Sequence, residues 1–406
     1  MTPVKRAVCI GGSIVGLAFI VCIVVLLFAN WKLLIATLGN ANAQYELGDF
    51  YYSTTYNYAD AIKWFRKAAE QGHAEAQCSL GVCYINGEGI QEDKQEAVKW
   101  WRKAAEQGNR NAQYNIGCYY RKYEDDLHEA EKWWRKAAEQ GEVKAQVNLG
   151  ICYINGDGIL QNSEEAVKWF RKAAEQGDER AQFFLGLSYE KGDGVLQNNE
   201  EAVKWYRKAA EQGQVEALHA LGLCYYYGKG IKKDEQEAFK YFHTAAEQGH
   251  VGAQINLGIC YDFGKGIKED KTEAVKWYRK AAEQGDAAAQ YLLGDCYDQG
   301  DGIKQDKTEA VKWFLKAAEQ GHAAAQYCVG ICYDIGDGIK QDKTEAAKWY
   351  HKAAEQGDAE AQYLLGNCYK NGNGVKQDTI EAVKWYLKAS EQGHEEAKEE
   401  LKKLKL

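Results

Sequence analysis

Ten cysteines outside the apolar N-terminal stretch are the groups with the most chemical potential in this 406-residue chain. A thiolate ligates soft metals and attacks electrophiles, provided its surroundings favour the ionised form. Seven of the ten, Cys83, Cys152, Cys224, Cys260, Cys296, Cys332 and Cys368, recur six places after a repeated marker. Equivalent atoms on stacked helices lie roughly 10 Å apart, whereas a disulfide needs Cα atoms within about 7 Å. These thiols therefore read as small buried hydrophobes. Cys328 and Cys332, four apart on one helix, supply two soft ligands, but no histidine or further cysteine stands near enough in sequence to complete a tetrahedral set. No metal site and no cofactor is expected.

Other reactive groups fare no better. A loop such as Asp334-Ile335-Gly336-Asp337-Gly338 hints at calcium, yet glycines hold its third and fifth places and Ile339 its sixth, where oxygens and a glycine are needed. The eight histidines are scattered, and His73, His250, His322 and His394 each follow a glycine at a turn. There is no His-x-x-x-His pair, nucleophile elbow or phosphate-binding glycine loop. Catalysis is not expected. Lysine plus arginine total 51 against 59 acids, a net charge of −8 without a cationic cluster, which excludes nucleic acid as a partner.

The elements that carry these residues are periodic. Ala-Ala-Glu-Gln-Gly ends at Gly72, Gly108, Gly141, Gly177, Gly213, Gly249, Gly285, Gly321 and Gly357, and a variant ends at Gly393, in steps of 36 residues with one of 33. A second marker, Ala-Gln-x-x-[Leu/Ile]-Gly, places its glutamine at Gln44, Gln77, Gln113, Gln146, Gln182, Gln254, Gln290, Gln326 (with Val329 in the aliphatic place) and Gln362, with Leu218 in the same slot. A fixed period of this size means stacked supersecondary units. Each unit reads as two helices. In one copy the first helix runs over Ala74–Asn86 and stops at Gly87, and Asp93 with Glu96 has the spacing of a reciprocal capping box for the second. Aromatic pairs such as Trp277-Tyr278 and Trp385-Tyr386 recur on the second helix as core filler. The copies from Gln44 and Gln113 are three residues short and lack the glycine-x-glycine turn.

The recurring pattern A-x-A-Q-x-x-L-G-x-x-Y-x-x-G-x-G-[IV]-x-x-D-x-x-E-A-x-K-W-[YF]-x-K-A-A-E-Q-G resembles the Sel-one-like repeat, a relative of the tetratricopeptide repeat. The resemblance spans residues 41–394, ten copies, with a capping helix over 395–406 in which Leu401 and Leu404 fit core slots. It implies an all-α superhelical solenoid whose first helices line the concave side. It also implies a non-catalytic adaptor or scaffold that binds proteins. Some cysteine-rich members bridge the two helices of a unit, and this sequence lacks their second cysteine.

Ala7 to Phe28 is twenty-two residues without a charge, long enough as a helix to span a bilayer. Lys5 and Arg6 precede it, so the positive-inside rule gives a cytoplasmic tail (1–6), an anchor (7–28), a linker (29–40) and an extracytoplasmic solenoid, in the periplasm or a lumen. On the first helices, the places five, eight and nine after the marker differ from copy to copy and share a side away from the core. Along the later copies that side carries Leu223, Tyr226, Tyr227, Ile259, Asp262, Phe263, Asp295, Asp298, Ile331, Asp334 and Ile335. Aromatic and aliphatic groups beside a column of aspartates suit a protein or peptide with basic residues. The alternative is an envelope glycan or cell-wall binder that uses the same rings as sugar platforms.

Overall fold

The computed structural model describes residues 33–404. The chain divides into two compact units, one ending at Gln197 and one beginning at Asn198. In the first, Ala41–Ser53 pairs with Tyr58–Glu70, Ala74–Asn86 with Lys94–Glu106, Arg110–Tyr119 with Leu127–Glu139, and Val143–Asn155 with Ser163–Glu175, and Glu179–Lys191 follows. In the second, Asn199–Glu211 precedes Val215–Tyr227 with Glu235–Glu247, Val251–Phe263 with Lys271–Glu283, Ala287–Gln299 with Lys307–Glu319, Ala323–Ile335 with Lys343–Glu355, and Ala359–Asn371 with Thr379–Glu391. Glu395–Lys403 closes the second unit. The first member of each pair is helix A and the second helix B.

The anchor expected over 7–28, with the tail 1–6 before it, lies outside the described residues. Among the described residues no helix is long and apolar enough to cross a membrane. The longer ones have 13 residues, about 20 Å against a hydrocarbon layer of about 30 Å. The expected fold class is corrected accordingly to the helical repeat array alone. The single-pass membrane placement is withdrawn with it.

Local chemistry sets the helix ends. Helix A of Val251–Phe263 stops at Gly264, whose φ of 63° is left-handed. Two residues on, Gly266 (φ 74°) passes so close to the Glu235 carbonyl that a Cβ there would collide with it. Asp270 then accepts a bond from the Glu273 amide and starts helix B. The expected reciprocal half of the capping box is replaced: the Asp270 amide donates to the Tyr261 carbonyl (2.8 Å), and the Glu273 carboxylate pairs with Lys276. In the short copies the turn is made without glycine. Tyr56 (φ 54°) and Asp125 (φ 52°) take the left-handed conformation, and the helix after Arg110 ends in a π-turn over Tyr120–Glu124.

Two devices hold the pairs together. The glycine four places after the marker lets a helix B ring lie against the helix A backbone. Gly222 faces Phe242, Gly258 faces Tyr278, Gly294 faces Phe314, and those rings are at most 2% exposed. The preceding tryptophan lies nearer the surface, roofed by a lysine: Lys280 Nζ sits 3.6 Å above the Trp277 ring. The marker glutamine is the second device. Gln290 is buried, donates to the Ala282 carbonyl of the preceding helix B (3.2 Å) and accepts from the Gln320 amide of its own helix B (2.8 Å). Gln254, Gln326 and Gln362 do the same. A buried amide with both ends satisfied specifies register as well as contact. The seven thiols of the repeated slot are buried beside these helices, and burial pushes those of Cys83, Cys152, Cys260 and Cys296 up to about 12.

Candidate recognition surface

In the second unit, packing of helix A onto helix B consumes the marker positions plus three, four and six: Leu257, Gly258 and Cys260, for example, are all buried. Plus five, eight and nine are left over. Tyr227, Phe263 and Ile335 are 63%, 65% and 61% exposed, although nothing in the packing requires an apolar group there. Leu223, Tyr226, Ile259 and Ile331 are half-buried beneath them. The Tyr226 ring meets Tyr227 edge-on at 5.0 Å and leans on Phe242 at 6.2 Å.

Neighbouring A helices leave a cleft between them. Tyr226, Tyr227, Phe242, Asn256 and Ile259 line one of about 50 Å³. Its floor is the same Phe242 ring that packs on Gly222. The Asn256 amide donates to His219 Nε2 (2.9 Å), and the His219 ring lies tilted against His250 with centroids 4.4 Å apart. Equivalent clefts occur in the first unit: Ile151, Ile154, Phe170, Phe184 and Leu187 surround about 120 Å³, and Val82, Ile85, Trp101 and Cys118 line another. Sequence reasoning missed these first-unit clefts; the signal was present as Val82, Ile85, Ile151 and Ile154 at the same plus-five and plus-eight places. The smaller clefts have room for about one side chain, well below the ~300 Å³ at which small-molecule pockets begin.

The aspartates are less uniform than their spacing suggests. Asp298 holds Lys307 (2.9 Å) and Asp334 holds Lys343 (2.8 Å), each lysine opening the following helix B nine residues on. Asp262 accepts from the Tyr278 hydroxyl (3.3 Å). Burial, with Lys271 working against it, raises the Asp262 carboxyl above its ordinary value. Asp295 is exposed and has no ion pair among the described residues. Among the described residues no three His, Cys, Asp or Glu side chains converge as metal ligands.

The histidines turn out to be caps as well as turn residues. His250 and His322 accept the Ala253 and Ala325 amides through Nδ1 at 3.0 and 3.2 Å. Burial lowers both, and it lowers His219 to about 4 with the help of His250. A histidine held neutral in the fold leaves the unfolded chain to take up the proton first. The stability of this unit should therefore be fully present above the unfolded value near pH 6.5 and be lost as pH falls towards 4. From pH 7 to 5 the His219 share is up to about 2 kcal/mol. Urea midpoints at the two pH values check it, and His219→Gln should reduce the difference.

A family model described as "Sel1 repeat" matches ten consecutive segments, 41–73, 74–109, 110–142, 143–178, 179–214, 215–250, 251–286, 287–322, 323–358 and 359–394. Among solved structures, the chain is 36% identical to a protective antigen present in uropathogenic Escherichia coli strains, described as displaying an SLR fold; the alignment covers 93% of this chain and 91% of that one, with a TM-score of 0.63. It is 33% identical to a Sel1 repeat protein from Oxalobacter formigenes, over 84% of this chain and 90% of that one, with a TM-score of 0.58. No curated protein matches.

Proposed function

Because the chain belongs to the Sel1 repeat family, whose members generally mediate protein–protein interaction and are typically non-catalytic scaffolds, we propose that it is a binding scaffold whose protein partner lies along the helix A wall of the second unit. The observation that carries this reading is the exposure of Tyr227, Phe263 and Ile335 at positions the fold leaves free, with Tyr227 lining a side-chain-sized cleft. Exposed aromatic groups over apolar hollows have the composition of interface anchors. The aspartates among them favour a partner with lysine or arginine. A flat sugar platform is less well served, since the Tyr227 and Tyr226 rings stand at 82° to each other.

Tyr227→Ala with Phe263→Ala should weaken partner capture at least tenfold, while the circular-dichroism melt stays within about 1 °C because both side chains project into solvent. Capture should also weaken as salt rises, which a neutral glycan would not do. Unchanged capture by the double variant rejects this wall.

A further inference from the structure

The wall of the second unit is not chemically uniform, and the difference selects a ligand. At one end lies the apolar cleft of Tyr226, Tyr227, Phe242 and Ile259. Phe263 stands exposed on the next helix A, and Asp295 is exposed on the one after. Of the wall aspartates, Asp298 and Asp334 already hold Lys307 and Lys343, and Asp301 in the adjoining turn holds Lys271 (2.9 Å). Their charge is largely offset from within. Asp262 also lacks a lysine ion pair but is half-buried and accepts from the Tyr278 hydroxyl (3.3 Å). Asp295 is exposed with no such lysine among the described residues, and partial burial, then the charges of Asp298, Asp301 and Asp262, raise its carboxyl above its ordinary value. An incoming cation is therefore worth more at Asp295 than at its neighbours. With helices stacked roughly 10 Å apart, the cleft and Asp295 are separated by about one and a half repeats, or ~15 Å. An extended chain covers that in about four or five residues.

Resting on the reading above, we propose that the occupant of this wall is an extended peptide segment with two anchors. An aromatic or aliphatic side chain enters the Tyr226–Ile259 cleft, and a lysine or arginine four or five residues away pairs with Asp295. Apolar burial supplies affinity, and the charge pair fixes register.

The test uses the full chain and a phage-displayed library of random 12-residue peptides. Enriched peptides should share an apolar and a basic residue at that spacing. For one such peptide made synthetically, Tyr227→Ala should weaken binding at least tenfold and Asp295→Asn about tenfold. Asp298→Asn should change binding less than twofold. Replacing the peptide's basic residue by methionine should cost as much as Asp295→Asn, with little further loss when the two are combined. Unchanged circular-dichroism melts for Tyr227→Ala and Asp295→Asn show that the fold is intact. If binding falls with Tyr227→Ala but not with Asp295→Asn, the cation anchor is wrong and the protein-binding wall stands. If no peptide is enriched, or binding ignores both substitutions, the wall itself is wrong and both readings fall.

Discussion

Gly294→Val should destabilise the second unit by about 3 kcal/mol, lowering its melting midpoint by roughly 6–12 °C. The cause is local and steric. A Cβ at Gly294 would stand 2.7 and 2.8 Å from Cδ1 and Cε1 of Phe314, and 3.3 Å from the Ala310 carbonyl oxygen. Phe314 is 2% exposed and closed in by Ala317, Ala325 and Val329, so it has nowhere to retreat. Helix B must move off helix A, and with it the wall that the A helices present. Phe314→Ala alone leaves a cavity and costs about 3–5 kcal/mol. The double variant should cost less than the sum, because the valine refills part of the space. A thermal melt of the four proteins reads the cycle. A Gly294→Val midpoint within 1 °C of the parent would show that the slot is not tight.

Gln290→Glu should be at least as damaging as Gly294→Val. Gln290 is 5% exposed and uses its amide in both directions, donating to Ala282 and accepting from Gln320. Glutamate keeps the acceptor but turns a carboxylate towards the Ala282 carbonyl, an uncompensated buried charge worth about 3–5 kcal/mol. Gln290→Leu removes both bonds without adding charge and should cost about 1–3 kcal/mol. Leu218 already fills the equivalent slot while only 5% exposed, so leucine fits there. The two variants are told apart by pH. Burial raises the new carboxyl above its unfolded value near 4.3, so the neutral form is the one the fold accepts. The defect relative to the parent should be largest at pH 7 and should shrink as pH falls towards 4. A pH-independent gap in urea midpoints would show that the carboxylate reaches water.

The short-range parts of this fold were legible. The helix spans, the left-handed glycines and the aspartate caps depend on residues within a few places of each other, as at Ala74–Asn86, Gly87 and Asp93. Features that join residues about twenty or more places apart were visible only as repetition. The glycine of the marker was visible only as a recurring slot, and the ring it meets (Gly258 with Tyr278) needed the packed pair. The glutamine was a signpost until Gln254 and Gln284 were found thirty residues apart and 2.8 Å from each other. At the candidate wall, the spacing grouped positions that include the exposed Tyr227, Phe263 and Ile335. It did not reveal that Lys307 and Lys343 reach across the turn to Asp298 and Asp334, leaving Asp295 unlike the rest. The capping box failed in half for the same reason: the Asp270 amide finds the Tyr261 carbonyl before any glutamate can reach it. The apolar run over 7–28 suggested a membrane, and none of the helices described supports one.

The account stands or falls on which side of the second unit meets its partner. A photoreactive benzoylphenylalanine placed at Tyr227 or Phe263, on the A side, can be compared with one at Leu387 or Lys348, exposed on B helices. On irradiation in native extract, the two A-side positions should yield the same cross-linked protein and the two B-side positions should not. Cross-links from the B side alone, or equally from both sides, would contradict it.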